Sequence, residues 1–154
     1  MAYENINVYV LRSTLYTLKN IKINKYGLKN VGCELTSDGW SGNTRNRIIS
    51  AIDKTTEYHD AIIDYINNLL QATDYIEEYK NLDKENEAFD NRVNIVQRRI
   101  NNLSSDVDSS LLKNDVNNYK NRISSNNSKK SELQRKINEL VNREARLWKI
   151  QESF

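Results

Sequence analysis

The sequence contains no proline, and its four glycines all lie in one short window, from Gly27 to Gly42. Proline and glycine are the residues that most disfavour a helix interior, because proline lacks an N–H donor and glycine has the most backbone freedom to lose. The rest of the chain is free of both residues. This distribution predicts one turn region in the N-terminal third, with helix on both sides.

The composition favours helices that each bury one narrow stripe rather than a thick globular core. Hydrophobic residues make up 38% of the chain and charged residues 29%, and the mean hydropathy is −0.79. Cys33 is the single cysteine, so packing rather than an internal disulfide must hold the fold. We expect no membrane span and no cleavable signal peptide, because no long apolar run is present and the first residues lack a basic start followed by an apolar block.

The apolar residues of the N-terminal third predict a first helix and a loop. Between about residues 7 and 30 the apolar positions step by three and four along one helix face. The window from 27 to 43, which contains every glycine, is predicted to be a loop. The stripe consists of Val8, Leu11, Leu15, Leu18 and Ile21.

The predicted second helix has the most regular pattern in the chain. Between Ile48 and Ile76 the seam positions alternate steps of four and three over four heptads, as in a coiled coil. A helix over residues 44–76 would be about 50 Å long, whereas the first helix would be about 35 Å. The first helix is therefore too short to cover the seam, and we expect a partner helix to cover the remainder. The expected partner interface consists of Ile48, Ile52, Ile62, Ile66, Leu69 and Ile76.

Beyond residue 76 the pattern predicts a register shift and two breaks. A new stripe from Leu82 to Leu103 follows a shift at about residues 79–87. Serine, aspartate and asparagine concentrate at 104–110 and 124–131, where their side chains compete with the helical backbone for hydrogen bonds. We divide the chain into a hairpin with an extended second helix at 1–103 and a C-terminal helical extension at 104–154. The pattern is compatible with an extension that folds back and with one that wraps a partner.

No set of residues has the pattern of an active site. His59, the sole histidine, falls on the seam of the second helix and is interpreted as a half-buried structural residue. One histidine and one cysteine without a tight carboxylate cluster do not form a metal site, and the glycines do not form a phosphate loop. We predict no enzymatic activity, no cofactor, no metal and no small-molecule substrate.

The charge pattern does not single out a nucleic-acid-binding protein. The net charge is only +2, whereas nucleic-acid recognition usually requires a concentrated basic face. The C-terminal helix is basic and would be suited to docking on an acidic protein, nucleic acid or membrane. A solvated helix face is the simpler interpretation.

Two short motifs occupy informative places. Trp40-Ser41-Gly42 lies at the predicted turn, where the indole can fill the gap between two diverging helices and the glycine lets the chain reverse. Tyr79-Lys80-Asn81-Leu82-Asp83 lies just beyond the seam. Positions i and i+4 share one helix face, so Tyr79 and Asp83 are offered together to a protein that would read them.

With these motifs, about residues 1–100 resemble the small Trp-x-Gly (WXG-like) proteins of bacterial type VII secretion, in particular the longer helical partners of Leu-x-Gly (LXG) polymorphic toxins. The resemblance implies an all-α, elongated antiparallel helical hairpin with Trp40 and Gly42 at its turn. It also implies that Tyr79 and Asp83 form half of an export signal read by the secretion ATPase. The sequence departs from the family pattern in its long, glycine-rich turn and in the chain that continues past the signal.

The resemblance further implies a partner and a location. The partner would be an LXG toxin N-terminal domain or another WXG-like protein, in a homo- or hetero-oligomer. The complex would form in the bacterial cytoplasm and then be secreted or reach the cell surface.

Two other functions are compatible with the same pattern. The chain could be a cytosolic coiled-coil adaptor or chaperone unrelated to secretion, in which Trp40 is a core residue. It could also be a helical nucleic-acid-binding protein that uses its basic tail, and such binding would collapse as salt rises.

Overall fold

The structure is a computed structural model that describes residues 3–21 and 42–152. These residues are almost entirely helical and contain no β-strand, which confirms the predicted all-α class. Trp40, placed by the sequence at the turn, lies outside the described residues. The described helices are α1 (Val8–Lys19), α2 (Gly42–Asn101), α3 (Ser110–Val141) and α4 (Ala145–Glu152), with a 3-10 turn at Asn142–Glu144 between the last two.

Helix α1 ends earlier than its apolar pattern predicted. It stops at Lys19, and the next two residues form a turn in which Ile21 N donates to Leu18 O at 3.2 Å. Asn20 occupies the position just past the helix, where asparagine tolerates the change of backbone direction. Leu15 is buried, whereas Leu18 and Ile21 are about half exposed, so only the N-terminal part of the predicted stripe faces inward.

Helix α2 runs unbroken from Gly42 to Asn101 because none of its residues after Gly42 is a glycine or a proline. Gly42 is therefore the first helical residue rather than part of the predicted loop. The buried positions 73, 76 and 79 are three apart, whereas a heptad would require a step of four after 76. The predicted register shift is thus a one-residue displacement of the seam inside a continuous helix.

Helix α3 is also unbroken, so the predicted break at 124–131 is wrong. Two serine hydroxyls of this stretch bond back to the preceding turn: Ser128 Oγ donates to Ser124 O at 3.3 Å, and Ser131 Oγ donates to Asn127 O at 3.1 Å. These bonds satisfy the hydroxyls without interrupting the helix.

The predicted break at 104–110 is confirmed, because residues 102–109 separate α2 from α3. Asp108 organises the start of α3: its Oδ1 accepts hydrogen bonds from Ser110 Oγ at 2.6 Å and from Ser110 N at 2.9 Å. These two bonds hold the pKa of the Asp108 carboxyl below its usual value.

The chain forms two compact units, and α2 and α3 contribute residues to both. The first unit comprises Met1–Val8 and Thr73–Asn138. Here α3 packs antiparallel to α2. As the residue numbers of the contacts rise along α2, those of their partners on α3 fall. The C-terminal extension therefore folds back on the second helix. The contacts that establish this direction are Tyr75 with Lys136, Asp83 with Lys130, and Phe89 with Tyr119.

The second unit comprises Tyr9–Ala72 and Glu139–Phe154. Tyr65 of α2 donates a hydrogen bond to the carbonyl oxygen of Val141 at 2.8 Å. Burial and the nearby Glu144 carboxylate both raise the pKa of the Tyr65 phenol. The buried side chains of this unit include Leu15, Ala61, Ile66, Ala72, Leu140 and Ile150.

The burial difference within α3 predicts a difference in stability. Ile137 is 3% exposed and Leu111 is 79% exposed. We expect Ile137→Ala to lower the free energy of unfolding by about 2–5 kcal/mol, because it removes buried methylene groups and leaves a cavity. Leu111→Ala is the control and should change it by less than about 0.5 kcal/mol. Denaturant titration followed by circular dichroism at 222 nm measures both, and equal losses would contradict this view of the core.

Candidate protein-interaction site

The residues predicted to form the partner interface are covered to different extents in the structure. Ile66 and Ile76 are each only 5% exposed. The other four keep part of their side-chain surface in solvent. These six residues form the ridge of α2. The ridge is partly covered within the chain, so only part of its apolar surface remains available to a partner. The four half-buried residues are Ile48, Ile52, Ile62 and Leu69.

His59 is half-buried on α2, as its seam position predicted. Both of its ring nitrogens are buried and have no hydrogen-bond partner among the described residues. The carboxylate oxygen Asp60 Oδ1 is 3.7 Å from Nδ1. Within residues 3–21 and 42–152, no three histidine, cysteine or carboxylate side chains form a group that could hold a metal ion.

Tyr79 and Asp83, the candidate export signal, lie one turn apart on α2 and are both largely covered. Tyr79 is 8% exposed, and the Asp83 side chain is 12% exposed. Lys130 of α3 contacts both residues: its ammonium forms an ion pair with Asp83 Oδ1 and lies 4.8 Å from the centroid of the Tyr79 ring. Tyr79, Asp83 and Lys130 are named the signal cluster below.

The N-terminal segment covers the Tyr79 ring as well. Tyr3 contacts it edge to face, with centroids 4.9 Å apart and ring planes at 88°. Lys80 Nζ donates to the carbonyl oxygen of Ile6 at 2.7 Å, which ties this segment to α2. Burial and the proximity of Tyr79 raise the pKa of Tyr3. An open cleft of about 380 Å³ lies between residues 4–8 and α2.

The charge state of Lys130 follows from its partners. Burial by itself lowers the pKa of this ammonium, but the hydrogen bond to Asp83, the charge of the Asp83 carboxylate and a smaller effect of the nearby Tyr79 hydroxyl outweigh it. The net shift is upward, so Lys130 carries its positive charge at neutral pH. The Lys130 ammonium is thus the counter-ion of Asp83, which is the charged residue of the candidate signal.

A second set of polar contacts lies next to the signal cluster. Asn126 Nδ2 donates to Glu85 Oε2 at 2.8 Å and to Asn86 Oδ1 at 3.0 Å. Asn86 Nδ2 in turn donates to Asn127 Oδ1 at 3.0 Å. Because Asn86 and Asn126 are buried, each must find a partner on the facing helix. Glu85, Asn86, Asn126 and Asn127 are named the amide layer.

Aromatic contacts continue the α2–α3 packing towards the loop. The rings of Phe89 and Tyr119 stack with centroids 5.8 Å apart. Arg122 lies over the Phe89 ring at 5.6 Å, and Arg92 lies over the Tyr119 ring at 5.8 Å. On the other side of the signal cluster, Leu133 and Ile137 are buried. The polar contacts are therefore flanked by apolar packing on both sides.

The contacts of Lys130 and Asn126 with α2 do not follow from the composition of their segment, which predicts a basic helix face around Lys130 and a break around Asn126. A signal for both was present. The heptad of α3 runs through Tyr119, Ile123, Asn126, Lys130, Leu133, Ile137 and Leu140 in regular steps of four and three. Polar residues at such positions are typical of a coiled coil in which one or two buried polar contacts set the register.

The outward face of α1 carries large apolar side chains among serine and threonine residues. Tyr9 is 80% exposed, and Val10 and Tyr16 are at least half exposed. The hydroxyl of Thr14 donates to the carbonyl oxygen of Val10 at 2.9 Å, and that of Thr17 donates to Ser13 O at 3.0 Å. Because these two hydroxyls donate to backbone carbonyl oxygens of α1, they are less available to bond to water or to a partner beside the exposed tyrosine rings.

Comparisons with known proteins do not assign the chain to a family. No protein-family model, curated protein or solved structure matches it. Among the described helices, none is long and apolar enough to cross a bilayer. Function is therefore inferred from the residues and contacts of the chain itself.

The contact between Asp83 and Lys130 predicts a measurable coupling. Asp83→Asn and Lys130→Met each remove one charge, and the double variant removes both. We expect a double-mutant cycle in the free energy of unfolding to give about 1 kcal/mol of favourable coupling, because both side chains are mostly shielded from solvent. The exposed pair Glu132 and Arg135 on α3, with Glu132→Gln and Arg135→Met, is the control and should couple more weakly. Additive effects at Asp83 and Lys130 would show that the contact contributes nothing to stability.

Proposed function

We propose that this chain is a non-catalytic protein of bacterial type VII secretion that pairs through helix faces with a second helical protein. The proposed partner is the N-terminal targeting domain of an LXG toxin or another WXG-like protein. The observation that carries the proposal is apolar surface left open on two helices of one unit. Tyr9 and Tyr16 are exposed on α1, and Ile62 is half-buried on α2.

The driving force for pairing would be the removal of this surface from water, at about 25 cal/mol per Å² of apolar area. Tyr9 and Tyr16 are seven residues apart and therefore lie on one face of α1. Large apolar side chains exposed together on one helix face are typical of a binding surface. Because the surface lies along helices, a helical partner would match its shape through knobs-into-holes packing.

The proposal includes a hairpin of α1 and α2 with Trp40 and Gly42 at its turn. Gly42 is the first residue of α2, so in this proposal the turn would end at Gly42. A partner helix would then pack along the ridge of α2, with Ile48, Ile52, Ile62 and Leu69 as its central contacts.

The export step is proposed to use Tyr79 and Asp83, recognised by the secretion ATPase. Their shared face on α2 supports this role, as does their present contact with a single cation, because a reader with an arginine or lysine could make the same contact. The complex would assemble in the bacterial cytoplasm and then be secreted or held at the cell surface.

A cytosolic coiled-coil adaptor or chaperone is the second candidate. The observation in its favour is the packing of α3 on α2 through the amide layer, which is a register-setting device suited to a permanent structural hairpin. The two candidates differ in where the protein is found: an adaptor would stay in the cell pellet of a bacterium with a working export system, whereas a secretion partner would reach the medium or surface.

Pairing is tested by Ile62→Asp. A carboxylate on the ridge would have to be desolvated in the interface, so we expect co-purification of the partner with this chain to fall at least tenfold. Ile95→Asp is the control, because Ile95 is an α2 isoleucine that is already half exposed in the first unit. Both variants should keep their helical circular dichroism. Equal capture of the partner by Ile62→Asp and wild type would contradict the proposed interface.

The signal is tested by Tyr79→Ala and Asp83→Asn. We expect both to block export while leaving partner capture intact, because they alter the reader's contacts and not the ridge. Leu111→Ala, which removes an exposed apolar side chain from the same unit and away from the pairing surface, is the control for export. Immunoblots of culture medium and cell pellet measure the exported fraction. Normal export of Tyr79→Ala would remove the signal from the proposed function.

A further inference from the structure

The candidate signal is covered by the chain's own C-terminal part. Tyr79 and Asp83 lie in the first unit, where α3 packs against the face of α2 that carries them. Lys130 contacts the ring of one and the carboxylate of the other. These are the two groups that a reading protein would have to contact, so contact with Lys130 and contact with a reader exclude each other.

The part of α3 that covers the signal is held by polar contacts. Between Ile123 and Leu133 the two seam positions are Asn126 and Lys130, where the heptad calls for apolar residues. Neither residue gains much from the hydrophobic effect when α3 closes, because their contacts exchange hydrogen bonds to water for hydrogen bonds to α2. Such a stretch opens at a lower free-energy cost than a seam of leucine or isoleucine.

Apolar packing on both sides limits how far such an opening spreads. Phe89 and Tyr119 stack towards the loop, and Leu133 and Ile137 are buried towards the end of the unit. Asp108 caps the start of α3 through two hydrogen bonds to Ser110, which stabilise the first turn of the helix. The middle of α3 is therefore the part that separates first, and it separates where the signal lies.

We propose that α3 is an intramolecular cover for Tyr79 and Asp83, held by Lys130 and the amide layer, that opens locally to admit a protein supplying its own cation and a pocket for the tyrosine ring. This inference rests on the proposed function, since it assigns the same pair of residues to a reader. Lys130 is a positioning residue in this scheme. It controls access to the signal and is not itself read.

A charge reversal in the cover tests the inference. Lys130→Glu places a carboxylate against Asp83, and we expect amide hydrogen exchange over residues 124–131 to accelerate about tenfold, because a charge-assisted hydrogen bond is replaced by repulsion. Exchange over residues 112–119 should change little and serves as an internal reference for folding. In the secreting bacterium, the exported fraction of Lys130→Glu should exceed that of wild type.

Two further variants complete the test. One is a control with the same change of charge, and the other is expected to have the opposite effect on exchange and export. Lys129→Glu makes the same charge change at an exposed neighbouring position and should alter neither exchange nor export. The double variant Asn86→Leu and Asn126→Leu replaces the two buried amides with an apolar contact. We expect it to slow exchange over 124–131 and to lower export, because the cover would then be closed by the hydrophobic effect.

The outcomes separate this inference from the proposed function. If Tyr79→Ala blocks export but Lys130→Glu and the double leucine variant export like wild type, the signal stands and the cover is overturned. Unchanged exchange in Lys130→Glu also overturns it. If Tyr79→Ala is exported normally, the signal itself fails and the cover has nothing to guard. Opposite effects of Lys130→Glu and the double leucine variant on both exchange and export support the cover.

Discussion

The register in which α3 packs on α2 depends on a few buried polar contacts. Asn86 and Asn126 are both buried, and a buried amide without a partner costs more free energy than a typical hydrogen bond contributes. In the observed register each finds a partner on the other helix. A slip by one heptad would place Asn126 opposite Val93 or Tyr79 and Asn86 opposite Leu133 or Tyr119. The amide contacts therefore select one register among several that the apolar residues alone would allow.

The same contacts determine the state of Tyr79 and Asp83. On an isolated helix the two would share an exposed face, as the spacing of i and i+4 requires. In the folded chain they share a cation from α3, and the Tyr3 ring closes over Tyr79 from the N-terminal side. A motif whose spacing suggests an exposed recognition element is thus part of an internal contact between α2 and α3.

The two units differ in how completely they satisfy their apolar side chains. In the unit of Thr73–Asn138 the apolar seam of α2 has α3 opposite it. In the unit of Tyr9–Ala72 the exposed rings of α1 and the half-buried isoleucines of α2 keep surface in solvent. In the proposed function, the second unit would therefore bind the partner helix, and the first unit would carry the candidate signal. Pairing and export would then use different residues of one chain.

Much of the fold could be predicted from local information. The absence of proline and the clustering of glycine determine that the described chain is helical and that α2 continues without a break past residue 76. The end of α2 and the start of α3 follow from the serines and aspartates at 104–110, of which Asp108 forms the capping bonds. These features depend on residues close in sequence, whose backbone preferences act within one or two turns.

Only the tertiary structure decided which faces are covered. Residues 124–131 have the composition of a break, yet they form helix because Asn126 and Lys130 find partners on α2 that lie some forty residues earlier in the chain. Ile66 and Ile76 are buried, whereas Leu18 and Ile21 on an equally apolar stripe are not. Periodicity shows that a helix has an apolar face, but burial depends on which distant segment packs against that face, and that choice is made by contacts between segments that sequence spacing does not specify.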